Sequence, residues 1–205
     1  MKYFGKYLLL LCAALVLVSC TKKTADYFPL NIGNKWDYSF KITTKGNPQV
    51  STMSYNILSK AVVGTNEYYK FESTFGWMPL DNNKSTDYYR ESDNGIVIKT
   101  PDEKKNDELI VLPSPLEKGK QWESNNQNGK KKYTVTNFEP ITVGDKTYSD
   151  CVKIDYEQTG PGGTDAGYYY FAKDVGLVKI YMKTGGSDST STETQVTLTS
   201  FTKGG

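Results

Sequence analysis

The sequence Trp36-Asp37-Tyr38-Ser39-Phe40-Lys41-Ile42-Thr43 alternates apolar and polar residues along its whole length. Successive side chains of a β-strand point to opposite faces, so this pattern predicts a strand with one buried and one solvated face. Similar composition predicts nine further strands, bounded by turns such as Asp93-Asn94-Gly95. These strands cover residues 53–63, 67–75, 86–91, 95–99, 132–138, 151–158, 167–172, 176–183 and 194–201.

The strand pattern predicts an all-β fold, because no segment after residue 20 shows the apolar repeat of a helix. The charged segment 102–108 is interpreted as a solvated connector. Two architectures fit: an antiparallel barrel, or two facing sheets related by a pseudo-twofold axis. Whether the interior is hollow or filled stays open, because barrels of both kinds show the same alternation.

An internal duplication is predicted from three matches that occur in the same order. The motif Pro-Leu-x-x-Gly-x-x-Trp begins at Pro29 and again at Pro115, a displacement of 86 residues. The other matches pair Val63-Gly64-x-x-x-Tyr68 with Val143-Gly144-x-x-x-Tyr148, and Tyr88-Tyr89 with Tyr169-Tyr170. We expect two copies of one β unit, at about 27–101 and 112–183, within a single domain 27–205. The last predicted strand, 194–201, has no counterpart in the first copy.

Each copy of the motif places a tryptophan, Trp36 or Trp122, near the start of a strand. We expect both indoles to fill the core with their N–H groups hydrogen-bonded. The alternative is that one of the rings binds a ligand. Packing is the commoner use of aromatic side chains.

The first twenty residues predict a lipoprotein signal that ends at Cys20. Lys2 and Lys6 precede an apolar run at residues 8–18, which is shorter than the roughly 20 residues that span a bilayer. The run ends in Leu17-Val18-Ser19-Cys20, which resembles the lipobox of bacterial lipoproteins. The resemblance implies that Cys20 is acylated and that its acyl chains hold the protein on a membrane. Residues 21–26 are predicted to be a polar tether that reaches about 20 Å when extended.

Composition excludes several classes of function. Without Lys2 and Lys6 the chain has 23 basic and 23 acidic residues, so it offers no positive footprint for nucleic acid or anionic lipid. It has no histidine, which removes Ser-His-Asp catalysis and histidine-ligated metals. Cys12 is in the signal and Cys20 is acylated, so Cys151 is alone. We expect no disulfide, metal site or cofactor, and a structural role for Cys151.

Two segments carry a resemblance to a family. Residues 27–38 are Tyr-Phe-Pro-Leu-x-x-Gly-Asn-x-Trp-x-Tyr, and residues 168–179 are Tyr-Tyr-Tyr-Phe-Ala-Lys-Asp-Val-Gly-Leu-Val-Lys. They resemble recurrent elements of all-β lipoproteins from Bacteroidetes-type bacteria, and the resemblance covers most of the mature chain. It implies a lipoprotein of the cell envelope, and it transfers no active-site residues.

Candidate binding residues come from a comparison of the two copies. After Phe75 the first copy continues Gly76-Trp77-Met78-Pro79-Leu80, where the second copy has only glycine, proline and threonine. Trp77 and Met78 therefore either cover the end of the barrel or contact a ligand or partner. Neighbouring tyrosines, such as those at Tyr88 and Tyr169, must place some rings on the outer face. Those rings either pair across strands or stack on a glycan.

The sequence favours a non-enzymatic module that binds a glycan or an apolar ligand, with a structural or assembly partner of another envelope protein as the alternative. A carboxylate-based glycosidase is least favoured, because no spacing singles out a pair of acids. The acids considered are Asp81, Asp87, Glu91, Asp93, Asp155 and Glu157. Thr21-Lys22-Lys23-Thr24 lacks an acidic run of the kind that resembles the surface-export signal of Bacteroidetes lipoproteins. The periplasmic face of the outer membrane is therefore favoured, with surface exposure as the alternative.

Overall fold

The computed structural model describes residues 22–76, 83–100, 108–126, 129–160, 163–185 and 191–205. Regular structure in these ranges is β apart from a 3-10 helix at Thr24–Tyr27, which confirms the all-β prediction. The strands are β1 Lys35–Thr44, β2 Asn47–Val63, β3 Asn66–Phe75, β4 Lys84–Ser92, β5 Gly95–Lys99, β6 Leu109–Pro113, β7 Gln121–Asn126, β8 Gly129–Val143, β9 Lys146–Gly160, β10 Gly163–Ala172, β11 Gly176–Thr184 and β12 Thr192–Thr202. No helix in the described ranges is long and apolar enough to cross a membrane.

All twelve strands belong to one antiparallel sheet, in the order β6-β5-β4-β3-β2-β1-β12-β11-β10-β9-β8-β7. The first and last strands pair with each other, with Trp36 opposite Phe201. The two sheet ends, β6 and β7, approach each other, so the sheet curls into a nearly closed barrel. Of the two predicted architectures, the barrel is therefore the one observed.

Each of the ten predicted strands lies within an observed strand. The prediction missed β6 because its five apolar residues do not alternate and follow a charged segment. It did not delimit β7, because that strand is mostly polar around Trp122. β6 is the last of the first six strands along the chain, and β12 is the last of the second six. β12 therefore has a topological counterpart that the sequence comparison did not find.

The two Pro-Leu-x-x-Gly-x-x-Trp segments have the same backbone geometry. Gly33 and Gly119 both have a φ of 87°, a conformation that favours glycine. Their N–H groups donate to the carbonyl oxygens of Ile57 (2.9 Å) and Val135 (2.7 Å), and those two residues each donate back to the residue after the glycine. Ile57 in β2 and Val135 in β8 are thus equivalent positions of the two halves, while the duplication itself stays a prediction.

Both tryptophans fill the core as expected. Trp36 is 4% exposed and Trp122 is 8% exposed. Their indole N–H groups donate to the carbonyl oxygens of Val175 (2.6 Å) and Ile110 (3.0 Å). Both rings therefore bury their apolar area without leaving a polar group unpaired.

Cys151 is a buried free thiol in the same core. Burial is the main cause that raises the pKa of this thiol, to about 11. A thiol that stays protonated at neutral pH is a poor nucleophile, so Cys151 has the structural role that the sequence predicts.

The segment predicted to be a polar tether, residues 21–26, packs against the barrel from Lys22 onward. The Thr24 hydroxyl donates to the carbonyl oxygen of Pro113 (2.8 Å) at the end of β6. Lys22 and the Tyr27 hydroxyl both bond to Asp150, at 2.5 and 2.7 Å. Tyr27 is 1% exposed, and burial of such a large ring explains why the segment docks instead of extending into water.

Glu108, predicted as the end of a solvated connector, is instead half-buried on the outer face of the sheet. It accepts hydrogen bonds from Arg90 Nε (2.5 Å), Arg90 Nη2 (2.6 Å) and the Tyr68 hydroxyl (2.5 Å). The Arg90 guanidinium holds the pKa of the Glu108 carboxyl below its usual range. The Glu108 side chain is therefore fixed here by one bidentate ion pair. The connector before Glu108 lies outside the described residues.

Candidate functional site

The interior of the barrel is largely aromatic, and two adjacent cavities of about 180 and 170 Å³ lie among its described residues. Both cavities are lined by Val111, Tyr169 and Phe171, so they meet at these side chains. Small-ligand pockets usually have about 300–1,000 Å³, a size that the two cavities reach only together. The interior, which the sequence left open as hollow or filled, is largely filled by side chains and keeps two small, mainly apolar cavities.

Lys131 extends from β8 toward this interior. Alternate residues of a strand share a face, so Lys131 shares one with Tyr133 and the fully buried Val135. The Lys131 ammonium lies 3.7 Å from the centroid of the Tyr156 ring and 5.3 Å from those of Tyr133 and Tyr169. It also donates a 2.8 Å hydrogen bond to the Tyr169 hydroxyl. We call Tyr133, Tyr156 and Tyr169 the tyrosine cage.

The lysine in the tyrosine cage is a cation in weakly polar surroundings. None of the ion pairs between described residues includes Lys131. Burial lowers the pKa of the Lys131 ammonium to about 8, against an opposing effect of the Asp165 carboxylate. Burial also raises the pKa of all three cage tyrosines. At pH 7 the site therefore combines a charged ammonium with neutral phenols.

Gly167 provides the space for the cage. It lies opposite Tyr156 in the ladder between β9 and β10. A Cβ atom on Gly167 would lie 2.9 Å from Cε1 of Tyr156 and 2.0 Å from the carbonyl oxygen of Tyr181. The absence of a side chain lets the Tyr156 ring lie close to the strand, where the Lys131 ammonium stacks on it.

Phe28 separates the interior from a larger, open pocket of about 450 Å³. The open pocket is bordered by the N-terminal segment and by charged side chains such as Arg90 and Asp174. The Phe28 side chain lines this pocket and also the larger interior cavity. Its ring stacks on Tyr89 at 5.2 Å and lies 6.2 Å from Phe171. An apolar plug thus closes the interior at the end where the N-terminal segment docks.

The predicted binding residues lie in different places. Tyr169 belongs to the cage and lines both cavities. Tyr89 lines the larger cavity, so its neighbour Tyr88 faces the other side of the sheet, with its ring 6.4 Å from that of Tyr68. The structure therefore does not bring Tyr88 and Tyr169 together. The remaining predicted site residues lie outside the described residues: Cys20, Trp77 and Met78.

Sequence reasoning missed Lys131. The signal was present, because a period of two from Val135 through Tyr133 leads to Lys131 on the buried face. The run Lys130-Lys131-Lys132 concealed it, since consecutive charges ordinarily belong to a solvated surface. One inward lysine within such a run is visible only once the strand and its buried face are known.

Of the acids considered for catalysis, Asp87 shares its face with core residues. It lies opposite Phe71 in the ladder between β3 and β4 and accepts a 3.1 Å hydrogen bond from the Thr100 hydroxyl. Burial, and secondarily the charge of Asp87, raises the pKa of Tyr89. Within the described ranges no group of three or more cysteine or acidic side chains could hold a metal ion.

No protein-family model matches the chain, and no curated protein matches it. Among solved structures, a protein from Bacteroides fragilis described as a candidate exported protein with a YMCC-like fold has a TM-score of 0.52. It is 15% identical, over 86% of this chain and 98% of that chain. At this identity the likeness shows the fold, a curved all-β sheet, and nothing further.

Two more distant structures also align over most of the chain. A candidate lipoprotein from Parabacteroides distasonis is 15% identical over 88% of this chain and 100% of that chain, with a TM-score of 0.43. A LolA superfamily protein from Nitrosomonas europaea is 9% identical over 87% of this chain and 88% of that chain, with a TM-score of 0.37. Likenesses this weak do not bear on fold or function.

Proposed function

We propose that this protein is a non-enzymatic binding protein of the cell envelope, anchored through an acylated Cys20, that holds an apolar ligand inside its barrel. The observation that carries the proposal is the aromatic interior void, whose two cavities meet at Val111, Tyr169 and Phe171. Natural cores are packed with few voids larger than a water molecule. A void of ligand size lined by aromatic rings is the usual form of a small-molecule site.

The docked N-terminal segment supports a ligand that comes from a membrane. Only residue 21 lies between Cys20 and Lys22, which contacts the barrel at Asp150. The acylated residue would therefore lie within about 8 Å of the packed segment. The open pocket beside Asp26 and Phe28 lies at this same end, so an apolar molecule leaving the bilayer would meet that pocket before the Phe28 plug.

The test is binding of N-phenyl-1-naphthylamine, a neutral dye that fluoresces in apolar surroundings, to a chain that begins at Thr21. Such a chain keeps every contact described above. We expect saturable binding, and we expect Val111→Trp to weaken it about tenfold or more, because the larger ring fills both cavities. Val62→Trp is the matched control, since Val62 is 73% exposed on β2.

Binding that survives Val111→Trp unchanged in a folded variant would place the dye elsewhere and contradict the proposal. Folding is checked by the thermal transition, because an added ring in a core typically costs about 1–3 kcal/mol. Organic extraction of the unmodified protein followed by mass spectrometry provides a second test, in which an apolar compound in stoichiometric amount is expected.

The finer localisation, at the periplasmic face of the outer membrane, is part of this proposal and rests on the residues after Cys20. Glycan binding and partnership with another envelope protein stay predictions, because the Trp77 loop that carries them lies outside the described residues. Lipidation is checked by the mass of the purified full chain: loss of residues 1–19 with added acyl mass is expected, and Cys20→Ser should abolish both.

A further inference from the structure

We infer that Lys131 and the tyrosine cage form the recognition site for an anionic head group, a carboxylate or a phosphate ester, on an amphipathic ligand whose chain occupies the interior cavities. The inference rests on the proposed function and deepens it, because it names the chemistry of the ligand. Tyr169 links the two parts of the site: its hydroxyl accepts from Lys131, and its ring lines both cavities.

The two halves of the barrel show that the fold does not require a lysine here. Lys131 lies four residues before Val135, and the equivalent position four residues before Ile57 is Met53. Met53 is 5% exposed and belongs to the core. Since an apolar side chain serves the structural purpose in the first half, the charge at Lys131 points to another purpose.

Elementary electrostatics favours an anion as the missing partner. An ammonium taken from water into weakly polar surroundings is destabilised unless it is paired. Ring faces, one phenol oxygen and the more distant Asp165 carboxylate compensate Lys131 partly, but none of the ion pairs between described residues includes it. A carboxylate or phosphate beside it would form a charge-assisted hydrogen bond, and such bonds gain strength where water is excluded. The cage phenols can donate to the same anion.

The adjacent residue provides a matched control. Lys132 is the next residue along β8, so its side chain points to the opposite, exposed face. Lys131→Met and Lys132→Met thus remove the same charge from the two sides of one strand. The probes are decanoate and 1-decanol, which share a chain and differ in head-group charge, with acetate and inorganic phosphate as anions without a chain. Each is measured by displacement of N-phenyl-1-naphthylamine.

We expect the unmodified protein to bind decanoate about tenfold tighter than 1-decanol, which corresponds to about 1.4 kcal/mol. Lys131→Met should abolish this preference and leave 1-decanol affinity within about threefold, while Lys132→Met should preserve it. Equal binding of decanoate and 1-decanol by the unmodified protein would overturn the inference and leave the proposed function intact. Displacement by acetate or phosphate as effective as that by decanoate would also overturn it, because the chain would then be irrelevant. Failure of every chain-bearing probe would instead overturn the proposed function.

A pH profile of the unmodified protein tests the inference even if Lys131→Met does not fold. The titratable groups around the ammonium are Tyr133 from β8, Tyr156 from β9 and Tyr169 from β10, with the charge of Asp165 from β10 acting on it as well. Because the pKa of Lys131 is about 8, the ammonium loses its proton between pH 7 and 9.5 while decanoate stays charged. The preference for decanoate should therefore fall about tenfold over this range. A preference that does not change with pH would contradict the assignment.

Discussion

Two equivalent pairs of residues show how the halves of the barrel differ. Trp36 lies opposite Tyr55 and Trp122 opposite Tyr133, so the start of each half is alike. The next pair along these strands that faces the interior is Tyr38 opposite Met53 in the first half. In the second half it is Ser124 opposite Lys131. Tyr38 and Met53 are buried core residues, at 2% and 5% exposure.

The difference teaches that one framework supports two uses of the same position. In the first half the pair fills space, and Tyr38 donates a 3.0 Å hydrogen bond to the carbonyl oxygen of Leu177. In the second half the small Ser124 leaves room, and Lys131 brings a charge to the neighbouring rings. The first pair is therefore expected to carry stability, and the second to carry binding.

The largest expected difference in stability is between truncation of Tyr38 and truncation of Ser124, one residue from each pair. Tyr38→Ala should lower the free energy of unfolding by about 3–5 kcal/mol, because a buried ring is replaced by a cavity. Ser124→Ala should lower it by about 1 kcal/mol or less, since only one hydroxyl is lost. Chemical denaturation of both variants checks the comparison, and equal losses would show that the halves do not divide their roles in this way.

A smaller effect on stability is expected when the residue types of Met53 and Lys131 are exchanged. Met53→Lys should lower the free energy of unfolding by about 3 kcal/mol, because Met53 is 5% exposed and an ammonium in its place would be desolvated. Lys131→Met should leave it unchanged or raise it by about 1 kcal/mol, since a desolvated charge is removed. Thermal unfolding measures both, and a strong loss in Lys131→Met would indicate that the lysine is needed by the fold.

The smallest effect tests the part that the halves share. Gly33→Ala and Gly119→Ala should each cost about 1–2 kcal/mol, because both glycines have a positive φ that disfavours a Cβ atom. Gly33→Ala should cost slightly more, since its Cβ would lie 3.3 Å from Gly204 Cα whereas nothing lies within 4 Å at Gly119. A neutral effect at either glycine, measured by urea unfolding, would break the equivalence of the two turns.

Much of the fold was predictable because strand patterning is local. The alternation at residues 36–43 and the turn glycines determined the all-β class, and each predicted strand lies within an observed one. The prediction failed where the strand pattern was short or where neighbouring charged residues concealed it. β6 has five residues without alternation, and Lys22 and Glu108 are polar residues fixed by partners distant in sequence, Asp150 and Arg90.

The candidate site was predictable only in part. Tyr169 was named from its position in a tyrosine cluster, and it does line the interior. Lys131 was hidden in a run of lysines, and Tyr88 lies on the other face because a shift of one residue along a strand reverses the direction of every side chain. A β-bulge between Tyr170 and Phe171 shifts the register of β10 in the same way. A comparison of the tyrosines by a constant sequence offset therefore does not identify residues on the same face.

The sequence by itself determined the strand content, the two tryptophans of the core, the structural role of Cys151, and the expectation of a lipid anchor. Each of these depends on residue type and local spacing. Only the tertiary structure decided that the sheet is single and nearly closed, that residues 22–27 dock on it, and that Lys131 meets Tyr156 and Tyr169. Those contacts join residues far apart along the chain, and their positions depend on register and bulges, which local patterns do not fix.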